Sequence, residues 1–202
     1  MKAYISINNK KVDLTDEQVE KIKQLLDVPR RRLADIDVGE VFMIGAHEFV
    51  VLEQSGDTTA VIRKDLLDED VSFGDTNNFN GSKVDALCKD FAKELAGVVG
   101  EDNLVSHTVD LTSDDGMKDY GKTMRQVSLL TADLYRRYVE VLDKHMPDGW
   151  WWLATPHSTE THGNSSWVRC VAPSGLIFSS SYNLDNGVRP FCILKSHIFV
   201  SS

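Results

Sequence analysis

The sequence predicts an α+β fold in which a mainly antiparallel sheet carries two helices, with a small hairpin–helix appendage at the N-terminus. Short β-rich segments separated by turn residues recur between residues 40 and 62 and again after residue 149. Apolar residues spaced by three and four occur in two segments, which follow Ser82 and Thr131. The last 53 residues, from Trp150 onward, contain no helical period. Together these observations favour one mixed domain with an appendage.

Residues 1–28 form the predicted appendage. The alternating segment "AYISI", the turn "NNKK" and the segment "VDL" predict a short hairpin. Thr15 and Gln18 then have the spacing of a capping box at the start of a helix, and Pro29 ends that helix. A unit of this size cannot hold a core alone, so we expect it to dock on the rest of the chain or to join two copies. Residues 29–32, "PRRR", are predicted as a linker.

The main domain is predicted to span residues 33–202. Its first strands are expected around Glu40–Ile44, Glu48–Gln54 and Thr58–Ile62, separated by the turns "IGAHE" and "QSGDT", which indicates an antiparallel meander. Ser82 is the predicted N-cap of the first helix, which is expected to end at Gly100.

The middle of the chain is predicted to hold a strand, a loop, a strand and a helix. "NLVSHTVDL" alternates like a strand, "TSDDGMKDYGKTMR" is polar and is predicted as a long loop, and "QVSLL" is predicted as a short strand. Thr131 is the predicted N-cap of the second helix, which is expected to be closed by Pro147. Its expected inward residues are Leu134, Tyr138, Val141 and Leu142.

The C-terminal part is predicted to be all β. "WVRCVAPSGLIF" has the pattern strand–turn–strand, and "SSSYNLDN" is polar and predicted as a loop. "GVRPFCIL" is predicted as one further strand, with Pro190 at an edge or a bulge. All four tryptophans lie between Trp150 and Trp167. Strand alternation puts Trp151 on one face and its two neighbours on the other, and we expect Trp150 to be the one that reaches the surface.

Composition narrows the function classes. The net charge is −9 and the pI is about 5.1, so direct binding to nucleic acid is not expected. No apolar run approaches a membrane span, and the N-terminus has no apolar signal-peptide core, so we expect a cytoplasmic protein without membrane contact. The three cysteines are predicted to be reduced and buried, although a Cys170–Cys192 pair stays open if their strands are neighbours.

The sequence contains no motif that indicates catalysis. There is no Gly-x-Ser-x-Gly elbow and no glycine-rich phosphate loop, and the acidic loop lacks the alternating ligands of an EF-hand. No catalytic residue, metal ligand set or cofactor is therefore predicted. The alternative is a metal-dependent enzyme built on His157, His162 and Cys170, where a zinc site needs three or four converging ligands.

Three motifs in order carry a family resemblance. "WWLATP", "WVRCVAPSG" and "GVRPFCIL" resemble the signature of an uncharacterised domain family of Gram-positive bacteria (Firmicutes) and their phages. That family is similar to the C-type-lectin-like fold, shared with formylglycine-generating-enzyme-like proteins and with diversified phage receptor-binding proteins. The resemblance covers residues 33–200. Ala154 stands where relatives often have an arginine, and neither the calcium-lectin motifs nor a closely spaced reactive cysteine pair is present.

The resemblance implies a division between framework and ligand face. Trp151, Trp152, Trp167 and Arg189 would be framework residues of the sheet. Residues 157–166 and 179–186 would form the exposed ligand face, with polar side chains suited to adaptable contacts. The candidate binding residues are Trp150, His157, Thr159, Glu160, His162, Asn164, Ser180, Tyr182, Asn183, Asp185 and Asn186.

The function expected from these observations is that of a non-enzymatic protein-binding module, encoded by a phage or mobile element. It would recognise a protein partner through its C-terminal loops. One specific version is an inhibitor of a host defence nuclease, of the anti-CRISPR kind, since an acidic protein suits a basic nucleic-acid channel. An alternative is a diversified phage adhesin that displays the same loops on a surface.

Overall fold

The computed structural model describes residues 4–7, 10–19, 21 and 30–201. In this part the chain is α+β, and most strand pairs are antiparallel. Its strands are β1 Tyr4–Ile7, β2 Lys10–Asp13, β3 Arg30–Arg32, β4 Val41–Ile44, β5 His47–Ser55, β6 Thr58–Arg63, β7 Asp68–Ser72, β8 Leu104–Val105, β9 His107–Asp110, β10 Lys122–Arg125, β11 Val127–Ser128, β12 Trp151–Pro156, β13 Trp167–Val171, β14 Ile177–Ser181, β15 Asp185–Val188, β16 Phe191–Lys195 and β17 Phe199–Ser201. Residues 30–201 contain two α-helices, α1 Lys83–Val99 and α2 Ala132–Leu142, with 3-10 turns at Leu33–Asp35, Glu101–Asn103 and Glu160–His162.

The N-terminal hairpin is confirmed, because β1 and β2 pair antiparallel. The capping box is confirmed as well: the Thr15 N–H donates to the Gln18 side chain at 2.9 Å, and the Gln18 N–H donates to the Thr15 hydroxyl at 3.2 Å. Residues 16–19 and 21 are helical. The rest of the predicted helix and Pro29 lie outside the described residues, and the oligomerisation role of residues 1–28 stays a prediction.

The predicted linker is partly wrong, because Arg30–Arg32 form strand β3 and pair antiparallel with β17. Its side chains are charged, so no alternation of apolar residues marks it as a strand. It joins the edge of an eight-stranded sheet with the order β11-β16-β6-β5-β4-β17-β3, in which β8 also pairs with β16. The predicted meander is confirmed as β4–β5–β6.

A five-stranded sheet with the order β14-β13-β12-β15-β7 holds the tryptophan-rich segment at its centre. The pair β12–β15 is parallel and the other pairs are antiparallel. The prediction of one strand in "GVRPFCIL" is wrong, because β15 belongs to this sheet and β16 to the eight-stranded sheet. Pro190 lies between them; it has no N–H for a ladder, and its carbonyl accepts a hydrogen bond from the Arg63 N–H at 2.8 Å.

Three further strand predictions need correction. "NLVSHTVDL" contains two strands, because β8 pairs with β16 whereas β9 pairs with β10. The polar loop "TSDDGMKDYGKTMR" ends in strand β10, although no strand is predicted there. The loop "SSSYNLDN" supplies the end of β14 and the start of β15. The edge strand β7 and the inner strand β17 were not predicted either, because β7 has one apolar residue in five and β17 is only three residues long.

Both helices begin where their caps predict. The Ser82 hydroxyl accepts a hydrogen bond from the Asp85 N–H at 3.1 Å, and the Thr131 hydroxyl accepts one from the Leu134 N–H at 3.2 Å. The first helix ends at Gly100, whose φ of 88° favours glycine. The second helix ends at Leu142, before Pro147. Its buried residues are Ala132, Tyr135, Tyr138 and Leu142, whereas Leu134 and Val141 are only partly buried.

The buried residues form two hydrophobic clusters, and neighbouring tryptophans belong to different ones. Trp152 lies in the cluster that includes the inner face of α1, and Trp151 lies in the cluster that includes the inner face of α2. Both side chains are 0% exposed, whereas Trp150 is 43% exposed. Strand alternation therefore holds, with core on both faces of the sheet, and the prediction for Trp150 is confirmed.

Arg189 is fully buried and acts as a hydrogen-bond donor to the backbone. Its guanidinium donates to the carbonyls of Arg63, Lys64 and His145 at 2.9, 3.0 and 2.6 Å, and it lies 5.2 Å from the ring centroid of Trp151. Burial lowers its pKa to about 10. The framework role expected for this arginine agrees with these contacts.

Trp167 departs from the framework expectation, because it is 43% exposed. It begins strand β13 and pairs with Ser181 at the outer end of the sheet. None of the helices in the described part of the chain is long and apolar enough to cross a membrane.

Candidate functional site

The first predicted ligand segment, residues 157–166 (the 157–166 loop), is held inward by carboxylates from a neighbouring loop. Ser158 is 6% exposed and Thr159 is 0% exposed. The Ser158 hydroxyl donates to Asp115 at 2.6 Å, and the Thr159 hydroxyl donates to Asp119. Thr159, expected on the ligand face, is therefore an interior residue.

Asp115 is the acceptor at the centre of this contact. Besides Ser158, its carboxylate accepts a hydrogen bond from the Ser113 hydroxyl and pairs with His162 Nδ1 at 3.0 Å. These donors, Ser113 first, hold the pKa of the Asp115 carboxyl well below its ordinary value. The polar groups of the loop are thus used to bind the loop to its own domain.

Asn77 also holds the 157–166 loop against the domain. Its side chain is 0% exposed; its amide donates to the carbonyls of Ser158 and Trp167 at 2.8 and 3.0 Å. Its carbonyl oxygen accepts a hydrogen bond from the Tyr120 hydroxyl at 2.7 Å. The amide and carbonyl of this one side chain thus connect three segments of the chain.

The remaining predicted residues of this loop differ in exposure. Glu160 and His162 are exposed, whereas His157 and Asn164 are half-buried. The Asn164 side chain accepts a hydrogen bond from the Ser166 N–H at 3.1 Å, and His157 lies 3.4 Å from the Ser179 hydroxyl. Only Glu160 and His162 therefore have the exposure expected of a ligand face.

The three residues of the alternative enzyme prediction face different partners. His162 contacts Asp115, His157 contacts Ser179, and Cys170 is fully buried. Burial raises the pKa of the Cys170 thiol to about 11, which disfavours the thiolate that zinc or a nucleophilic mechanism requires. Within the described residues no three His, Cys, Asp or Glu side chains form a group that could hold a metal ion.

The second predicted ligand segment borders an open cavity of about 430 Å³, called here the Trp150 cavity. Residues Trp152, Cys170 and Phe178 are direct partners across β12, β13 and β14, so they lie on one face of the sheet. Trp150, two residues before Trp152, shares that face by alternation. The lining residues are Trp150, Cys170, Phe178, Ser179, Ser180, Leu184, Asp185 and Asn186.

Large apolar side chains at this cavity are exposed to solvent. Trp150, Phe178 and Leu184 are 43%, 44% and 56% exposed. The rings of Trp150 and Phe178 are in contact, with centroids 5.2 Å apart and an angle of 60° between their planes. Grouped exposure of this kind is unusual on a protein surface without a partner, because single apolar residues are normally scattered.

A polar group in the cavity wall has no partner. Asn186, in β15, is 7% exposed, and its amide nitrogen Nδ2 has no hydrogen-bond acceptor among the described residues. A buried amide donor left without an acceptor costs about 1–3 kcal/mol, which a ligand acceptor would recover. Asp185 is the one acidic residue of the lining, and no lysine or arginine belongs to it.

The structure therefore brings together four of the predicted site residues: Trp150, Ser180, Asp185 and Asn186. Asn183 is exposed in the adjoining turn, and Tyr182 is half-buried against the core. Two lining residues, Cys170 and Phe178, lie outside the predicted ligand segments, and two more, Ser179 and Leu184, lie in the second segment without having been named as candidates. The signal was present in the hairpin, where alternation around "APSG" already places Phe178 opposite Cys170.

Comparison with known proteins identified no relative: no family model, no curated protein and no solved structure matches this chain.

Proposed function

We propose that this chain is a non-enzymatic protein-binding module and that its partner is held at the Trp150 cavity. The observation that carries the proposal is the group of exposed apolar side chains, Trp150, Phe178 and Leu184, beside the unpaired amide of Asn186. Tryptophan is enriched among the few residues that dominate the free energy of protein interfaces. An open cavity with a buried donor offers both an apolar pocket and a directional contact.

The proposed fold is C-type-lectin-like, in a module encoded by a phage or a mobile element. Support for this fold comes from the three motifs. The "WWLATP" strand lies at the centre of a sheet, and Arg189 of the third motif is buried. Most residues that line the cavity lie between the second and the third motif. The exposed Trp167 is the feature that departs from the family pattern.

Charge favours a basic partner, in line with the proposed inhibition of a host defence nuclease. The chain has a net charge of −9, and Asp185 is at the cavity. Strand β7, which pairs with β15, adds the exposed side chains Asp68, Glu69 and Asp70. These acids would attract the basic nucleic-acid channel of a nuclease and would make the affinity fall as the salt concentration rises.

The test begins with capture of a binding protein from host lysate, followed by titration calorimetry with the purified pair. The variant Trp150→Ala is expected to weaken the affinity by about tenfold or more, because the largest apolar contact is lost. The matched control is Trp167→Ala, since Trp167 is equally exposed at 43% and does not line the cavity. That control should stay within about twofold of the wild type.

Two results would contradict the proposal. One is wild-type affinity in Trp150→Ala and in Phe178→Ala. The other is an equal loss in Trp167→Ala, which would locate the interface elsewhere on the sheet. Salt-independent binding would count against the basic partner and leave the cavity as the binding site.

A further inference from the structure

The two large sheets have five edge strands, including the two-residue β8 that lies beside β11 along β16, and one of the five differs from the others in the described part of the chain. Edge strand β7 has the sequence "DEDVS", β3 has "RRR", and β11 has only two residues. Charged side chains and short length are the usual devices that stop a sheet edge from pairing with another chain. Strand β14 has neither device: it has five residues, "IFSSS", without charge or proline.

The hydrogen bonds at both ends of the β13–β14 hairpin show which backbone groups of β14 are used. At one end the Tyr182 N–H donates to the Ser166 carbonyl at 2.9 Å; at the other end the Ala172 N–H donates to the Leu176 carbonyl at 3.0 Å. Hydrogen-bonded pairs alternate every second residue along an antiparallel ladder. The even-numbered residues of β14 therefore bond to β13.

The odd-numbered residues of β14 point their backbone groups away from the sheet. Among the described residues, the N–H and C=O groups of Ile177 and Ser179 have no hydrogen-bond partner. The Ser181 carbonyl accepts from the Leu184 N–H at 3.0 Å, so the free edge ends there. All five residues of β14 are exposed or half-buried, and a neighbouring strand could reach these groups.

This free edge adjoins the Trp150 cavity. The side chains of Phe178 and Ser180 lie on the cavity face of β14, and Ser179 also lines the cavity. A strand added beside β14 would direct every second side chain toward that face. The unpaired Nδ2 of Asn186, in a side chain only 7% exposed, is a separate sign that the cavity receives a ligand with a hydrogen-bond acceptor.

We propose that β14 binds an extended segment of a partner protein by strand addition, with one large apolar side chain of that segment in the Trp150 cavity. The backbone groups of Ile177 and Ser179 supply the main-chain hydrogen bonds, and the side chain in the cavity extends toward Asn186, which lies three strands from β14 in the sheet order. In this mode main-chain bonds give affinity and a side-chain pocket gives specificity. Because Asp185 is the charged residue of the lining, a neutral or basic segment is bound. The inference rests on the proposed function and names the form of the partner.

The experiment uses a displayed library of random peptides of about twelve residues, selected on the full-length protein, with affinities measured by fluorescence anisotropy. Selected peptides should share a large apolar residue within a β-prone segment. Ser179→Pro removes the N–H that points away from β13 and should weaken the affinity for these peptides by about tenfold or more. The hydrogen bonds between β13 and β14 are kept. Ser179→Ala is the matched control, because both variants lose the bond that Arg169 donates to the Ser179 hydroxyl at 2.7 Å. The peptide affinity of Ser179→Ala should stay within about twofold of the wild-type value.

Hydrogen exchange tests the same contacts without a variant. The amides of Ile177 and Ser179 should exchange rapidly in the free protein and become protected when a selected peptide is bound. The absence of protection would overturn strand addition, and so would a library that yields no enriched peptide.

Other outcomes separate this inference from the proposed function. Peptides that lose affinity in Trp150→Ala but bind Ser179→Pro normally would overturn strand addition and retain the cavity as the site. If neither variant changes the affinity for the peptides, neither strand addition nor binding at the cavity is supported. If sedimentation shows a wild-type dimer that Ser179→Pro dissociates, the edge is occupied by a second copy, and the partner-segment proposal is wrong.

Discussion

The 157–166 loop and residues 179–186, which border the Trp150 cavity, are both mainly polar in the sequence, but their polar groups are used differently in the fold. In the loop, Ser158 and Thr159 are buried against the carboxylates of Asp115 and Asp119. At the cavity, Asn186 is almost as buried and its amide nitrogen has no partner. The comparison teaches that the capacity to bind depends on which polar groups remain unpaired after folding, since composition alone does not separate the two regions.

The largest expected effect comes from exchanging two buried asparagines for alanine, Asn77, which holds the loop, and Asn186, which lines the cavity. Asn77→Ala removes the amide that donates to the Ser158 and Trp167 carbonyls and the oxygen that accepts from Tyr120, and should lower the free energy of unfolding by about 2–4 kcal/mol. Asn186→Ala removes an amide that has no acceptor, and because relief of that cost offsets the packing lost with the side chain, stability should change by less than about 1 kcal/mol. Urea denaturation at neutral pH measures both values.

The control for this pair is Asn183→Ala, because Asn183 is exposed in the turn beside the cavity and should change stability by no more than about 0.5 kcal/mol. Equal destabilisation by Asn77→Ala and Asn186→Ala would break the comparison. It would mean that the Asn186 amide is used within the fold.

A smaller effect is expected from Asp115, the carboxylate that contacts Ser158 and His162 of the 157–166 loop. The Asp115 carboxyl has a lowered pKa in the native state, so the carboxylate stabilises the fold above its unfolded pKa of about 4, and this contribution is lost as pH falls below that value. In Asp115→Asn the loss of stability between neutral pH and about pH 2 should be smaller than in the wild type. The side chain is 37% exposed, and solvent screening limits the difference.

Thermal unfolding across this pH range measures the prediction. Ser158→Ala serves as the intermediate case, because it removes one donor to Asp115 and keeps the carboxylate. Its pH dependence should fall between those of the wild type and Asp115→Asn. Identical profiles for all three proteins would show that the loop is held by contacts other than the carboxylate.

Local signals in the sequence were sufficient for the helices, the meander and the hairpin after Trp167. Ser82 and Thr131 each accept a hydrogen bond from an N–H group three residues away. Such caps can be predicted from the sequence because they depend on near neighbours. Strand alternation also separated Trp151 from Trp152, which lie in different clusters. In contrast, the charged edge strands β3 and β7 have no apolar pattern, since one or both faces are in solvent.

The burial of Ser158 and Thr159 in the 157–166 loop could not be predicted, because their partners are remote in sequence. Asn77 is 81 residues from Ser158, and Asp115 is 43 residues from it. The same limit applies to Pro190, where the sequence predicted an edge or a bulge within one strand, and not the transfer of β16 to the other sheet. Phe178 is a partial exception. Its position opposite Cys170 could be predicted from the hairpin. Its place in a cavity could not, because Trp150 and Leu184 belong to other segments of the chain.

The smallest expected effect is a change in thiol reactivity that reports on the cavity alone. Burial raises the pKa of Cys170 to about 11, so at about pH 8 roughly one Cys170 side chain in a thousand is a thiolate, and alkylation of the native protein should be slow. Trp150→Ala removes the indole that lines the cavity beside Cys170, and should speed its labelling by a few-fold, measured by peptide mass spectrometry. Thr159→Ala, a change in the loop, should leave the Cys170 rate unchanged. Equal acceleration by both variants would mean that the two regions open together, and the distinction between a satisfied loop and an open cavity would have to be abandoned.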